Sequence, residues 1–554
     1  MKYLILCAVL MGVEPLLSVA AETSPPSVKA VSSQRVHSVL IGNDHNGLVT
    51  VAIEVDTPGV RVTGLTFSLR GTDDLKDIAS LALYYSDRHH PRRLDDFRNG
   101  TTYVGDKQAV TDEITVPFGK ISLPRKQITF QGNQLLAPGV NHFWLSCKLH
   151  PTAELMHKVD AVCTRIETTS GPLIPKDTTP GVRKRIGYAL RKHGDDDVHT
   201  SRIPALTVTP QGTLLCVYDL RRSQRRDLQE DIDIGLSRST DGGHSWEPVR
   251  VIMDMGEYGG LPQNRNGCSD PGIVVDQNTG KIFCAAVWMW GKVGKHQWDP
   301  GGSDQGFEIG KSAQFMMVSS EDDGVTWSTP ENLTRELKQP EWILFAPSPQ
   351  AGITLRDGTL VLPVEGLAAG DPLNFDVKQL GFSSLMCSQD HGKTWTVGSD
   401  MPRGNGECQA VELKDGSVLL NCRTMKPANH RSIYVTNDQG QTWRPHATHR
   451  SALIESGCNG TLYQVNFTHQ RALRQALLFS NCHTQKGRVN QMIQVSLDEG
   501  QTWPAEYHML LDEGRGNGYP SITQIDQDHV GIVYEGSQAN LVFEKIPLNE
   551  IFHR

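Results

Sequence analysis

The chain has 554 residues, with 54 Lys and Arg against 62 Asp and Glu and a net charge of -8. That length holds about three ordinary domains, or one large domain and one small. Hydrophobic residues at 38% and charged residues at 21% exclude a disordered chain and a membrane bundle, and the acidic balance excludes nucleic-acid binding as the main business.

In chain order, Met1-Lys2 is followed by the apolar run Tyr3–Val13 and by small residues at 18–21. A basic start, a short apolar core and small residues predict a signal peptide over 1–21, cleaved near Ala20 or Ala21. The run is too short to cross a membrane, and no other run is long and apolar enough. The rest is expected to be exported, periplasmic or secreted, with no membrane span.

Residues 22–185 show alternating runs at Leu48–Val55, Arg61–Leu69, Leu81–Tyr85 and His142–Leu149, broken by Gly, Pro, Asn and Asp. That alternation predicts a separate β-sandwich. Pro172–Val182, with three Pro, reads as the linker.

From 186 to 554 one box recurs five times: Ser/Thr-x-Asp-x-Gly-x-x-Trp. Its Asp and Trp are Asp241 and Trp246, Asp322 and Trp327, Asp390 and Trp395, Asp438 and Trp443, and Asp498 and Trp503. The physics is that of a hairpin turn. The Ser/Thr and Asp side chains hydrogen-bond the turn backbone, Gly takes positive φ, and Trp plugs the turn from below. The boxes lie 81, 68, 48 and 60 residues apart. Strand-like runs such as Thr359–Val364, Ser417–Cys422 and Val530–Tyr534 fall between or after them. A repeat of about 64 residues built from short strands fits one four-stranded propeller blade, and the region holds close to six. The expected fold is all-β: a six-bladed β-propeller preceded by a smaller β-sandwich. The ten Cys beyond Cys7 show no CxxC pair and read as small buried hydrophobes. The calcium-loop ligand ladder is absent from the boxes, and no cofactor or metal is expected.

With its boxes, the sequence resembles the bacterial exo-α-sialidases, or neuraminidases. The motifs that carry the resemblance are Ser201-Arg202-Ile203-Pro204, Tyr218-Asp219-Leu220-Arg221 with Asp227 beyond, and Ser269-Asp270-Pro271. Further on come Gly406-Glu407-Cys408, Asn421-Cys422-Arg423, Gly487-Arg488-Val489, Asn517-Gly518-Tyr519-Pro520 and Val533-Tyr534-Glu535. The resemblance implies Arg202, Arg423 and Arg488 as a triad that binds the sialic acid carboxylate. It implies Tyr519 as nucleophile, Glu407 as its base, Asp227 as general acid and Glu535 as support for Arg202. Arg221 and Asp270 are implied in the substrate pocket, with Arg222 competing with Arg221.

The chemistry explains these types. A guanidinium pairs bidentately with a carboxylate. A carboxylate nucleophile would be repelled by the substrate's own carboxylate, and sialidases are the known Tyr exception among glycosidases. A neutral Tyr needs a base. Taken singly, each residue has a plainer reading: a solvated Arg, a turn Tyr, a surface Glu. Asp227 sits in the charge run 225–231, where Glu230 and Asp231 are alternative acids. The loop from Trp288 to Trp298 supplies either a substrate wall or core packing. The expected partners are sialylated glycans, glycoproteins or glycolipids, and the expected reaction is hydrolysis of terminal sialic acid with retention. The rival readings are a non-catalytic sialoglycan-binding propeller and a trans-sialidase on the same scaffold.

Overall fold

The alternating runs become strands. Asn46–Val55, Arg61–Ser68, Ile78–Ser86 and Gly139–Leu149 cover the four expected near the N-terminus. The computed structural model describes residues 27–86, 116–228, 230–290, 295–370, 376–399, 403–425, 429–469 and 472–552. The leader expected over 1–21 lies outside them. Among the described residues the protein is nearly all β, and its few α-helices, such as Thr334–Leu337 and Leu548–Phe552, are short. None is long and apolar enough to cross a membrane.

The N-terminal strands form two sheets. One has six strands, with Asn46–Val55 and Gly139–Leu149 at its centre, and the other has four, with Arg61–Ser68 between Val162–Thr168 and Gln127–Leu135. Val51, Ile53 and Phe143 from the first sheet share a core with Leu65, Phe67 and Phe130 from the second. These are the apolar alternate positions, which period-two geometry directs to one face.

The Pro-rich segment is not a loose tether. Gly171–Leu173 and Lys176–Asp177 are short strands, and Thr178 N–H donates to Ser32 O at 2.9 Å. The strand Lys184–Arg191 runs across the boundary expected at 185/186. It pairs in parallel with Val39–Ile41 and antiparallel with Leu541–Pro547. Val39–Ile41 and Leu541–Pro547 are therefore joined in one sheet.

Beyond it, antiparallel four-stranded units follow one another. Their first strands are Thr200–Val208, Asn266–Val275, Leu344–Pro347 with Ile353–Thr354, Asn405–Glu412, Thr461–His469 and Pro520–Gln524. Lys184–Arg191 supplies the last strand of the sixth unit. Neighbouring units touch in order, mostly through these first, innermost strands: the first unit meets the second, and so on to the sixth, which meets the first again.

Each box joins the third and fourth strands of units one to five. In the first, Ser239 Oγ donates to Asp241 Oδ1 at 2.8 Å, while Gly243 N–H donates to Ser239 Oγ at 2.9 Å. Ser245 donates to Asp241 from its backbone and its hydroxyl. The other four boxes repeat this pattern. The residue before the box Gly is also left-handed: Asp323, His391, Gln439 and Glu499 lie at φ +57 to +61. Two consecutive positive φ values match the twist of a hairpin. By register, the Ser239 end of its strand lies opposite Leu214, while the Ile232 end lies opposite Arg221. The boxes thus occupy the end of the units away from Arg221.

Candidate active site

Three innermost strands lose register at the same end: between Arg202 and Ala205, between Ser269 and Gly272, and between Asn405 and Cys408. Ile203 and Asp270, each before a Pro, take φ +59 and +58. Such values are outliers for a β-branched residue and cost roughly 1–3 kcal/mol. Bulges of this kind turn a side chain away from the ladder. Arg202, Asp270 and Glu407 stand at these three bulges.

Glu535, which follows the strand His529–Tyr534, holds the first bulge. It accepts from Arg202 Nε at 3.0 Å, from Arg202 Nη2 at 3.1 Å and from Ile203 N–H at 2.7 Å. On the other side, Arg202 Nη1 lies 3.6 Å from Asp227 Oδ1.

Tyr519 precedes the strand Pro520–Gln524. Gly518 before it has φ +81, and a Cβ there would lie 2.3 Å from Cys482 Sγ, so only glycine fits. The Tyr519 hydroxyl donates to Glu407 Oε1 in a short hydrogen bond. Arg423 Nη1 lies 2.7 Å from Glu407 Oε2 and 3.2 Å from Tyr519 Oη. The guanidinium groups of Arg202 and Arg488 stand 5.2 and 5.4 Å from the Tyr519 ring centre. Arg488 is steadied by the Asn517 carbonyl at 2.8 Å. Arg202, Arg423 and Arg488 come from three units, and all gather on one tyrosine. Burial raises the Tyr519 pKa well above its usual value and Glu407 raises it further, so the resting phenol keeps its proton.

Arg221 ends the strand Leu214–Arg221 and is fully buried. It donates to Asp219 Oδ2 from Nε at 3.0 Å and from Nη2 at 2.8 Å, and it pairs closely with Asp227. Arg222 instead pairs with Asp233 at 2.6 Å. Burial would raise the Asp227 pKa, but Arg221, a hydrogen bond to His296 and Arg202 together hold it well below the usual carboxylate range. Asp227 is the member of its charge run that pairs with the site arginines.

Two further carboxyls nearby, Asp270 and Glu365, are buried. Burial and then the charge of Asp219 raise the Asp270 pKa, and burial and then Glu407 raise that of Glu365. Both carboxyls are therefore held towards the neutral, hydrogen-donating form.

Sequence reasoning missed three participants. Asp219 appeared only as part of a motif, yet it accepts from Arg221, from Ser269 Oγ at 2.7 Å and from Asp270 N–H at 3.1 Å. Glu365 lies in the ordinary strand Leu360–Leu367 and has no local signal. His296, on the tryptophan-rich loop, reaches Asp227 at 3.1 Å. Trp288, expected in that loop, instead lies in the strand Ile282–Trp290 and is core, fully buried with Nε1 on Asn266 Oδ1 at 2.8 Å. The acidic turn after His193 caps backbone and pairs Asp196 with Arg191. Among the described residues, no three His, Cys, Asp or Glu side chains are grouped to hold a metal. The ten described cysteines are buried and unbridged. A cavity of about 370 Å³ opens at the other end of the innermost strands, past Thr207, Glu412 and Tyr463. Its lining includes none of Arg202, Asp227, Glu407, Arg423, Arg488 and Tyr519.

Repeated four-stranded units with box turns at one end, and a Tyr–Glu pair ringed by arginines at the other, define the class of protein. Residues 196–533 match the profile of a BNR repeat-like domain, and residues 27–172 that of the N-terminal domain of BNR-repeat neuraminidase. A sialidase of Bacteroides fragilis is 36% identical over 486 residues, covering 86% of this chain and 87% of its own. A sialidase of Micromonospora viridifaciens is 31% identical over 351 residues, covering 62% of this chain and 51% of its own. Among solved structures, the Hadza microbial sialidase Hz136 superposes with a TM-score of 0.84 at 33% identity, over 94% of this chain and 99% of that one. The intramolecular trans-sialidase of Ruminococcus gnavus, at 18% identity and a TM-score of 0.51 over 66% of this chain and 97% of its own, shares the fold. The chain belongs to the bacterial sialidase family of BNR-repeat neuraminidases.

Proposed function

We propose that the protein is an exported exo-α-sialidase, a retaining glycoside hydrolase that releases terminal sialic acid from glycans. The six units are read as the blades of a six-bladed propeller over 186–554, and the two N-terminal sheets as a β-sandwich over 22–185. One observation carries the reading: a buried Tyr519–Glu407 hydrogen bond lies beside three arginines from three different units.

The roles follow from the contacts. A substrate carboxylate would settle on Arg202, Arg423 and Arg488, which fixes the anomeric carbon over Tyr519. Glu407 would take the phenol proton as Tyr519 attacks, forming a glycosyl–tyrosine bond. Asp227 would protonate the leaving oxygen and later take a proton from the attacking water. In the resting site its carboxylate is held ionised by the arginines. Anionic substrate would take over part of the field of Arg202 and so ease proton uptake by Asp227. Asp270 and Glu365 would donate hydrogen bonds to the sugar's hydroxyl groups. No step calls for a cofactor.

The test is time-resolved NMR on sialyllactose isomers. Release of the α-anomer of free sialic acid first is the expected result. An anhydro sugar or transfer to an acceptor would mean a trans-sialidase. No release would mean a binding propeller.

A further inference from the structure

His296 lies on the loop after the strand Ile282–Trp290. Its Nδ1 accepts from the backbone N–H of Trp298 at 3.2 Å. Its own backbone N–H donates to Asp299 Oδ2 at 2.8 Å. A ring nitrogen that accepts carries no proton, so the ring proton sits on Nε2. Nε2 lies 3.1 Å from Asp227 Oδ2. The loop backbone therefore selects the tautomer, and that tautomer points its donor at the carboxylate.

The two oxygens of Asp227 are divided between partners. Oδ1 faces Arg221 and Arg202, and Oδ2 faces His296. Asp219 and Asp270 also act on it: Asp219 shares the Arg221 guanidinium with it, and Asp270 is tied to Asp219 through its backbone N–H. Asp227 stands on an irregular loop, between the strands Leu214–Arg221 and Ile232–Ser239, with its side chain 34% exposed. No strand ladder fixes its carboxyl plane. The arginines hold one oxygen, and one anchored oxygen leaves the plane free to swing.

We propose that His296 is a positioning residue for Asp227: as the Nε2–H tautomer it grips Oδ2 and fixes the carboxyl plane for proton transfer to the leaving oxygen. This rests on the reading of Asp227 as the general acid. Removing His296 has two effects. The acid loses its orientation, so natural sugar leaving groups suffer most. The ionised carboxylate also loses a donor, so Asp227 keeps its proton to higher pH.

The experiment compares wild type, His296→Ala and His296→Gln on sialyllactose and on an aryl sialoside across pH. The Gln amide places an N–H close to where Nε2 stands. With His296→Ala, kcat on sialyllactose should fall about 10- to 100-fold, a part of the full worth of a general acid. KM should change little and the aryl sialoside should be spared. The alkaline limb of kcat, which reports the acid in the substrate complex, should move up by about one pH unit. His296→Gln should restore most of the rate and return the limb. A change confined to KM or to the melting temperature, an unmoved limb, or a Gln variant as poor as Ala would overturn the proposal and leave His296 as loop support. Long-range ¹H–¹⁵N spectra of the wild-type imidazoles decide the contact without turnover, the His296 signal being the one lost in His296→Gln. An Nδ1–H tautomer would overturn the proposal even in an active enzyme. A wild type that shows the Nε2–H tautomer but releases no sialic acid would instead sink the reading of the function.

Discussion

Replacing Glu535 by Ala removes the carboxylate that holds Arg202. Glu535 is 2% exposed, and three of its hydrogen bonds go to Arg202 and to the Ile203 N–H. Removing one partner of a buried ion pair costs about 3–5 kcal/mol, because the other charge is left without compensation. A buried N–H without an acceptor costs about 1–3 kcal/mol. Two effects reduce the sum. Asp227 remains 3.6 Å from Arg202. Ile203 at φ +59 can also relax once its N–H is released. The net loss should be about 3–5 kcal/mol, a large share of the roughly 5–15 kcal/mol that holds a native protein folded. Glu535→Gln keeps an acceptor but not the charge and should lose about half as much. Urea denaturation reads the stability, and kcat/KM on a sialoside reads the placement of Arg202. A stability loss below about 1 kcal/mol for Glu535→Ala would refute the claim that one buried carboxylate compensates this guanidinium.

Tyr519→Phe should abolish turnover while the urea transition stays cooperative, and a fluorinated sialosyl donor should label Tyr519 in the wild type; a label on Glu407 would contradict the repulsion argument. Asp227→Ala should cost at least about ten times more on sialyllactose than on an aryl sialoside, because only the natural alcohol needs a proton to leave. Equal losses on both substrates would make Asp227 a binding residue. In the box turns, hydrogen bonds from the Thr326 hydroxyl and then its backbone N–H lower the Asp322 pKa from the ordinary 3.8 to about 2. A depressed carboxylate stabilises the fold fully above its unfolded pKa and loses that effect as pH falls through the folded value. Asp322→Asn should therefore flatten the stability profile between about pH 4 and pH 2, measured as urea midpoints. An unchanged slope there would remove Asp322 from the acid sensitivity of the protein.

The sequence alone determined what local chemistry can write. The five boxes are complete turn instructions within eight residues, and the same hydrogen bonds form in each. Alternation placed the strands to within a few residues, because period two is a local property. The motifs around Arg202, Glu407, Arg423, Arg488 and Tyr519 could be picked out in order along the chain. Only the tertiary structure brought them together, since the contact between Glu407 and Tyr519 joins residues 112 positions apart. The left-handed turns at Ile203 and Asp270 defied local preference, because a residue before Pro is normally extended. They persist because Glu535 and Asp219 accept their N–H groups from across the fold. The partnership of His296 with Asp227 had no sequence signal, for two loops 69 residues apart share no pattern. The pairing of Val39–Ile41 with Lys184–Arg191, and of that strand with Leu541–Pro547, was equally hidden. Strand propensity says that a segment will pair, but its partner is chosen by which edges the rest of the fold leaves open.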